Sequence, residues 1–177
     1  AVEAVLSGGA SAQAHVPAGA STGRHEAVAV AAACAVAKVN GEIAGAVVGL
    51  EADVSAIESR LIELDGTDDK SRLGANAILG TGCALARAVS VASGVPLWRY
   101  LRDVYAPSAA ASIPLPMTNI LSGGLHAGGA VDFQDFLIIP HGFATVKESL
   151  WAAVAIHRAA RMEIARRGLT VHGVADE

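Results

Sequence analysis

The stretch at 122–140, Ser-Gly-Gly-Leu-His-Ala-Gly-Gly-Ala-Val-Asp-Phe-Gln-Asp-Phe-Leu-Ile-Ile-Pro, narrows the possible folds more than any other. Four glycines surround a single histidine, His126. Lacking a Cβ, they let the backbone approach a ligand where a side chain would intrude. The loop feeds a segment that reads as a strand. Alternation with period two puts Asp132, Gln134 and Ile138 on one face, and Phe133, Asp135 and Leu137 on the other. Polar groups on both faces, followed by the apolar run 136–139, predict a buried strand with one end lining a site. A glycine-rich loop before a strand is most often only a turn, so this reading needs support from other segments.

At 177 residues the chain suits one or two domains and can bury a core. Hydrophobic residues make up 53% and charged ones 17%, which places it among globular and not disordered chains. The apolar excess is largely alanine, and the run at 27–37 is far too short for a membrane span. A net charge of -4 and the absence of a basic cluster interleaved with aromatics leave no electrostatic footprint for nucleic acid. Cys34 and Cys83 lack C-x-x-C spacing, read as small core fillers, and fit a reducing compartment. No basic region followed by an apolar core opens the chain, so a soluble cytoplasmic protein is expected.

In chain order, residues 1–6 and 11–16 predict a β-hairpin across Ser-Gly-Gly. Residues 17–26 form a loop of small and hydroxyl residues, neither a Walker A loop nor a zinc motif. It reads as a mobile surface loop more readily than as an anion cradle, although its N–H groups and the Ser21 and Thr22 hydroxyls suit closure over one. A helix is predicted over 27–48, with a break near Asn40-Gly41. A second begins at a Ser55…Glu58 capping box and ends at Asp65-Gly66. Residues 73–80 open a third, which ends at Gly94, and 96–103 add an amphipathic turn. A Pro/Ala/Ser linker at 106–112 places a domain boundary near Ser108, giving domains 1–108 and 109–177. Two strands, 113–121 and 132–140, flank the glycine loop. A capping box at Thr145…Glu148 starts a helix that reaches Arg167, with Val146, Leu150, Val154 and Ile164 on its buried side and Gly168 as its stop. His157 lies near that stripe and reads as a packing residue. The last residues, 169–177, predict a strand ending in Asp176-Glu177.

Several segments, in order, give the chain a close resemblance to the enolase family. They are Val-Pro-Ala-Gly-Ala-Ser-Thr-Gly-Arg-His-Glu-Ala at 16–27, Val-Asn-Gly-Glu-Ile at 39–43 and Glu-Leu-Asp-Gly-Thr at 63–67. Lys-Ser-Arg-Leu-Gly-Ala-Asn-Ala-Ile-Leu-Gly at 70–80 and Pro-Leu-Trp-Arg-Tyr-Leu at 96–101 come next, then Pro-Met-Thr-Asn-Ile-Leu-Ser-Gly-Gly-Leu-His-Ala at 116–127. The resemblance implies an α+β N-terminal capping domain followed by an enolase-type α/β barrel, with its site at the C-terminal ends of the strands. It implies a lyase of glycolysis and gluconeogenesis that reversibly dehydrates 2-phosphoglycerate to phosphoenolpyruvate. It also implies two Mg²⁺ per site and a homodimer or larger homo-oligomer. The pattern described for the enolase superfamily itself is a Lys or His base with Mg²⁺ on the ene-diolate.

Carried to this chain, Ser21 would be the loop ligand of the second Mg²⁺. His126 would lie near the substrate phosphate and leaving group, and Gln134 would line the pocket. Glu177 would be the acid that assists hydroxide loss, with Asp135 working beside it. The plainer alternatives are a helix cap for Ser21, a loop hydrogen-bonder for His126 and a solvated strand end for Asp135.

The chain departs from the pattern in three ways. The segment after residue 108 is far shorter than the about 250 residues of a barrel, so a longer parent chain is expected. The base lysine and the carboxylates of the first Mg²⁺ would lie beyond Glu177. The acidic, glycine-containing loop that the family carries after His-Glu-Ala is missing, since Val28 runs straight into Ala-Val-Ala. Asp135 stands where the family has glutamate, which retracts the carboxylate by roughly 1.5 Å. A displacement of about 1 Å can cost on the order of 10²-fold in rate. Gly128-Gly129 also replace more polar residues. An enolase-like paralogue acting on another phosphate or phosphonate carboxylic acid, and a non-catalytic fragment or pseudoenzyme, are the alternative expectations.

Overall fold

A helix of small residues organises the first half of the molecule. The computed structural model describes residues 1–19 and 22–170 and divides into two compact units, Ala1–Ala109 and Ala110–Glu177. In the first unit, β1 (Val2–Val5) and β2 (Ser11–Ala14) pair antiparallel, Val2 opposite Ala14. They pack on α4 (Ala75–Ser93). The approach is close because α4 presents Gly80: a Cβ there would stand 2.8 Å from Val2 Cγ2. Among the described residues α4 alone is long and apolar enough to cross a membrane. It is instead the central helix of this unit, against β1, β2, α3 (Val54–Asp65) and α5 (Leu97–Tyr105). Ile43, Val54, Ile57, Leu61, Leu73, Ala77, Leu85 and Ala86 form the core, with Leu97, Tyr100 and Leu101 packed on it.

The first predicted helix starts late. Residues 28–31 have no helical structure, and α1 runs over Ala32–Lys38. The backbone of this lead-in is engaged elsewhere. Val28 N donates to Asp69 O, Ala75 N donates to Val28 O, and the Asn76 side chain bonds both N and O of Val30. These bonds to the start of α4 satisfy groups that a local helix would otherwise have paired, so tertiary contacts override alanine's helix preference. The expected break at Asn40-Gly41 takes the form of a π-helical turn, Val39–Ile43, continued by α2 (Ala44–Val47).

The cap of α3 also differs from expectation. Asp53, not Ser55, caps it by accepting from Ala56 N at 3.0 Å, and Gly66 closes it in the left-handed conformation. Asp65, 2% exposed, holds the connection to α4. Its carboxylate accepts from Thr67 N, from the Thr67 hydroxyl and from Leu73 N at 2.7 Å. Burial pushes its pKa up, but the bonds from Thr67 and Leu73, with Lys70 nearby, outweigh that and hold it below the usual value. Arg72 donates to Asp65 O, Leu64 O and Glu42, tying the end of α3 to the π turn. Cys34 and Cys83 are exposed, not core fillers, because they face away from the Leu61 and Leu73 side of their helices.

The second unit is built from β3 (Thr118–Ser122), a 3₁₀ turn (Gly124–Ala127), β4 (Asp135–Ile138) and α6 (Val146–Arg166). β3 and β4 pair antiparallel, and residues 113–117 are not strand. Thr145 and Glu148 form the expected capping box of α6. The buried side of α6 is Ser149 and Ala153, with Ser149 Oγ donating to Pro140 O at 2.5 Å. Of the expected stripe, Leu150 and Val154 are exposed and Val146 and Ile164 half-buried; His157 beside it is exposed. Small residues let the helix lie close to the 140–149 chain, and the larger ones cannot occupy that contact. Of the strand expected at 169–177, residues 169–170 carry no regular element, and the remainder lies outside the described residues.

Candidate active site

The glycine loop closes on the chain that leads into β4. Gly123 N donates to Gln134 O at 2.6 Å and Gly124 N to Val131 O at 2.8 Å. Position 123 admits only glycine, since a Cβ would overlap the Phe133 carbonyl oxygen. The 3₁₀ turn carrying the His126 backbone comes next, closed by Gly128 at φ 61°.

This wrapping corrects the expected strand. β4 starts at Asp135, so Asp132, Phe133 and Gln134 precede it and do not share its alternating faces. The carbonyls of Val131 and Gln134 are engaged by the loop, which bends the backbone away from an extended ladder. Phe133 and Phe136 make an edge contact at 6.0 Å across that bend, a three-residue spacing that no straight strand gives. β4 is not buried either: Phe136 and Leu137, on opposite faces of the strand, are both exposed.

At the junction of loop and strand, Asp135 lies directly opposite Ser122. The Asn119 side chain joins them: its Nδ2 donates to Ser122 Oγ at 2.7 Å and to Asp135 Oδ1 at 2.8 Å. Residues 119 and 122 share a face only because of a β-bulge. Asn119 pairs with Leu137 and Leu121 with Phe136, leaving Ile120 as the extra residue. Asn119 is the polar residue that period-two reasoning passes over. No local signal marks it: Thr118, Asn119 and Ser122 are all polar, and period two sets Asn119 and Ser122 on opposite faces.

Of the expected site residues, the structure brings Gln134, Asp135 and the His126 backbone to one loop–strand junction. Ser21 and Glu177 lie outside the described residues. Among the described residues no three His, Cys, Asp or Glu side chains form a group that could hold a metal ion. The junction offers one carboxylate, the carboxamides of Asn119 and Gln134 and one hydroxyl, too few charged oxygen donors for Mg²⁺ without further ligands.

Comparison with known proteins covers both units. The family model described as "Enolase, N-terminal domain" matches residues 1–101, and that described as "Enolase, C-terminal TIM barrel domain" matches residues 110–177. A curated protein of Rubrobacter xylanophilus named "Enolase" is 44% identical over 188 residues, which cover 99% of this chain and 43% of that protein. The chain thus spans less than half the length of this relative. The aligned length exceeds the chain's 177 residues, so the alignment opens gaps in this chain.

Proposed function

The chain belongs to the enolase family, and from that premise we propose that it is part of a lyase that reversibly dehydrates 2-phosphoglycerate to phosphoenolpyruvate. The observation that carries the reading is a likeness that runs through both domains and includes the loop–strand junction holding Gln134 and Asp135. The C2 proton of the substrate is very weakly acidic, and the C3 hydroxyl is a poor leaving group until it is protonated. In this proposal Glu177 supplies that proton and Asp135 works beside it as the second carboxylate. Gln134 lines the pocket and His126 lies near the phosphate. Mg²⁺ is required, with ligands outside the described residues, Ser21 among them. The protein works in the cytoplasm as a homo-oligomer.

A steady-state assay of the full-length protein with 2-phosphoglycerate tests this. Phosphoenolpyruvate should form, its production should stop on chelation of Mg²⁺, and Asp135→Asn should abolish turnover. A rate equal to the blank would sink the proposal. The shorter carboxylate of Asp135 motivates a second reading, a paralogue acting on a related phosphate or phosphonate carboxylic acid. Turnover of such a compound with none of 2-phosphoglycerate would favour it.

A further inference from the structure

We infer that Asn119 is a positioning residue that holds the Asp135 carboxylate in its working orientation; this rests on the proposed role of Asp135. The amide nitrogen of Asn119 has two hydrogens and both are used, one on Ser122 Oγ and one on Asp135 Oδ1. Its carbonyl oxygen is buried and has no hydrogen-bond partner among the described residues. An unsatisfied buried acceptor is costly, and native side chains generally avoid one. Turning the amide over does not relieve the cost, because it would set the Asn119 oxygen against an ionised carboxylate, which can only accept. The amide is therefore held one way round by Asp135, and Asp135 by the amide.

The backbone makes the pair rigid. Ser122 and Asp135 are the last register pair before the glycine loop, and Gly123 N bonds Gln134 O immediately beyond it. The bulge at Ile120 brings Asn119 to the same face. Without the bulge, Asn119 would point away from Asp135. A carboxylate on an exposed strand end, free to rotate about two torsions, would occupy a working orientation only part of the time. The Asn119 bond removes that freedom before substrate arrives.

The test uses the full-length protein. Asn119→Asp keeps the shape but replaces the donor with an acceptor, and Asn119→Ala removes the group. Each should lower kcat for 2-phosphoglycerate by about 10-fold or more while KM moves by less than about 2-fold, the mark of an interaction needed for the reacting geometry and not for binding. Normal kcat in both variants while Asp135→Asn is inactive would overturn the inference alone. Full activity in Asp135→Asn would remove the proposed role of Asp135 and the inference with it. A second readout is independent of turnover: in ¹H–¹⁵N spectra the Asn119 side-chain amide, assigned by its loss in Asn119→Ala, should exchange slowly and should shift in Asp135→Ala. An Asn119 amide unmoved by Asp135→Ala would overturn the pairing even if no substrate were turned over.

Discussion

Among the described residues the two units show different kinds of contact. In the first, Leu61 and Leu73 are fully buried, and helix, hairpin and π turn share one apolar core. In the second, Leu125, Phe133, Met117 and Trp151 are all exposed, and the described order comes from hydrogen bonds: the loop–strand clamp, the bulge and the cap of α6. Apolar burial is long-range and needs many elements at once, whereas a cap or a clamp works within a few residues of itself. Among the described residues, the junction around Asp135 is held by directed bonds.

The sharpest way to break this contrast is to truncate one leucine in each unit. Leu61→Ala should destabilise the first unit by about 2–5 kcal/mol in denaturant unfolding. Leu150→Ala, at a site 49% exposed, should stay within about 0.5 kcal/mol. Equal effects would mean that α6 is packed in solution as tightly as α3.

A smaller effect is expected at Asp65. Asp65→Asn leaves Leu73 N and Thr67 with a weaker acceptor and should cost about 1–3 kcal/mol. The sign with pH comes from the lowered pKa. The folded state binds the proton less readily than the unfolded one, whose value is about 3.9. The stabilisation is therefore complete above that value and is lost as pH falls through the folded pKa. Thermal melts of the parent protein should drop across that acid range, and those of Asp65→Asn should drop less.

In the second unit the cap carries the comparable local weight. Thr145→Ala should cost about 1 kcal/mol and fray the start of α6, read by hydrogen exchange at Glu148 N. A further small effect belongs to Tyr105. Its hydroxyl donates to Glu58 at 2.6 Å, and this bond, together with burial and the neighbouring carboxylates, pushes its pKa up to about 12. A raised folded pKa gives stability that is complete below the ordinary value of about 10 and is lost as pH rises through the folded one. In an ultraviolet titration Tyr100, raised chiefly by burial, and Tyr105 should both ionise late, and Tyr105→Phe should remove the step near 12 while costing less than about 1 kcal/mol at neutral pH.

Much of the first unit was legible residue by residue. The hairpin, the stops at Gly66 and Gly94 and the long small-residue helix all arise from local signals that the structure obeys. The start of α1 was not, because Val30 is engaged by Asn76, a partner far along the chain. Nor was the outward turn of Leu150 and Val154, since periodicity finds an apolar face without saying what covers it. At the candidate site, the glycine loop and Asp135 could be singled out by residue type. Asn119 could not, because a bulge changes which residues share a face and leaves no fixed mark in composition.

By itself the amino-acid sequence determined the family, the places where helices must stop and the presence of a glycine-rich loop before β4. These depend on motif order, on φ and on residue type, all local properties. Tertiary structure decided where the first helix begins, which side of α6 is buried and which side chain braces Asp135. Each of those is a contest between a local preference and a partner distant in the chain, and the hydrogen bonds and packing of the folded state settle it.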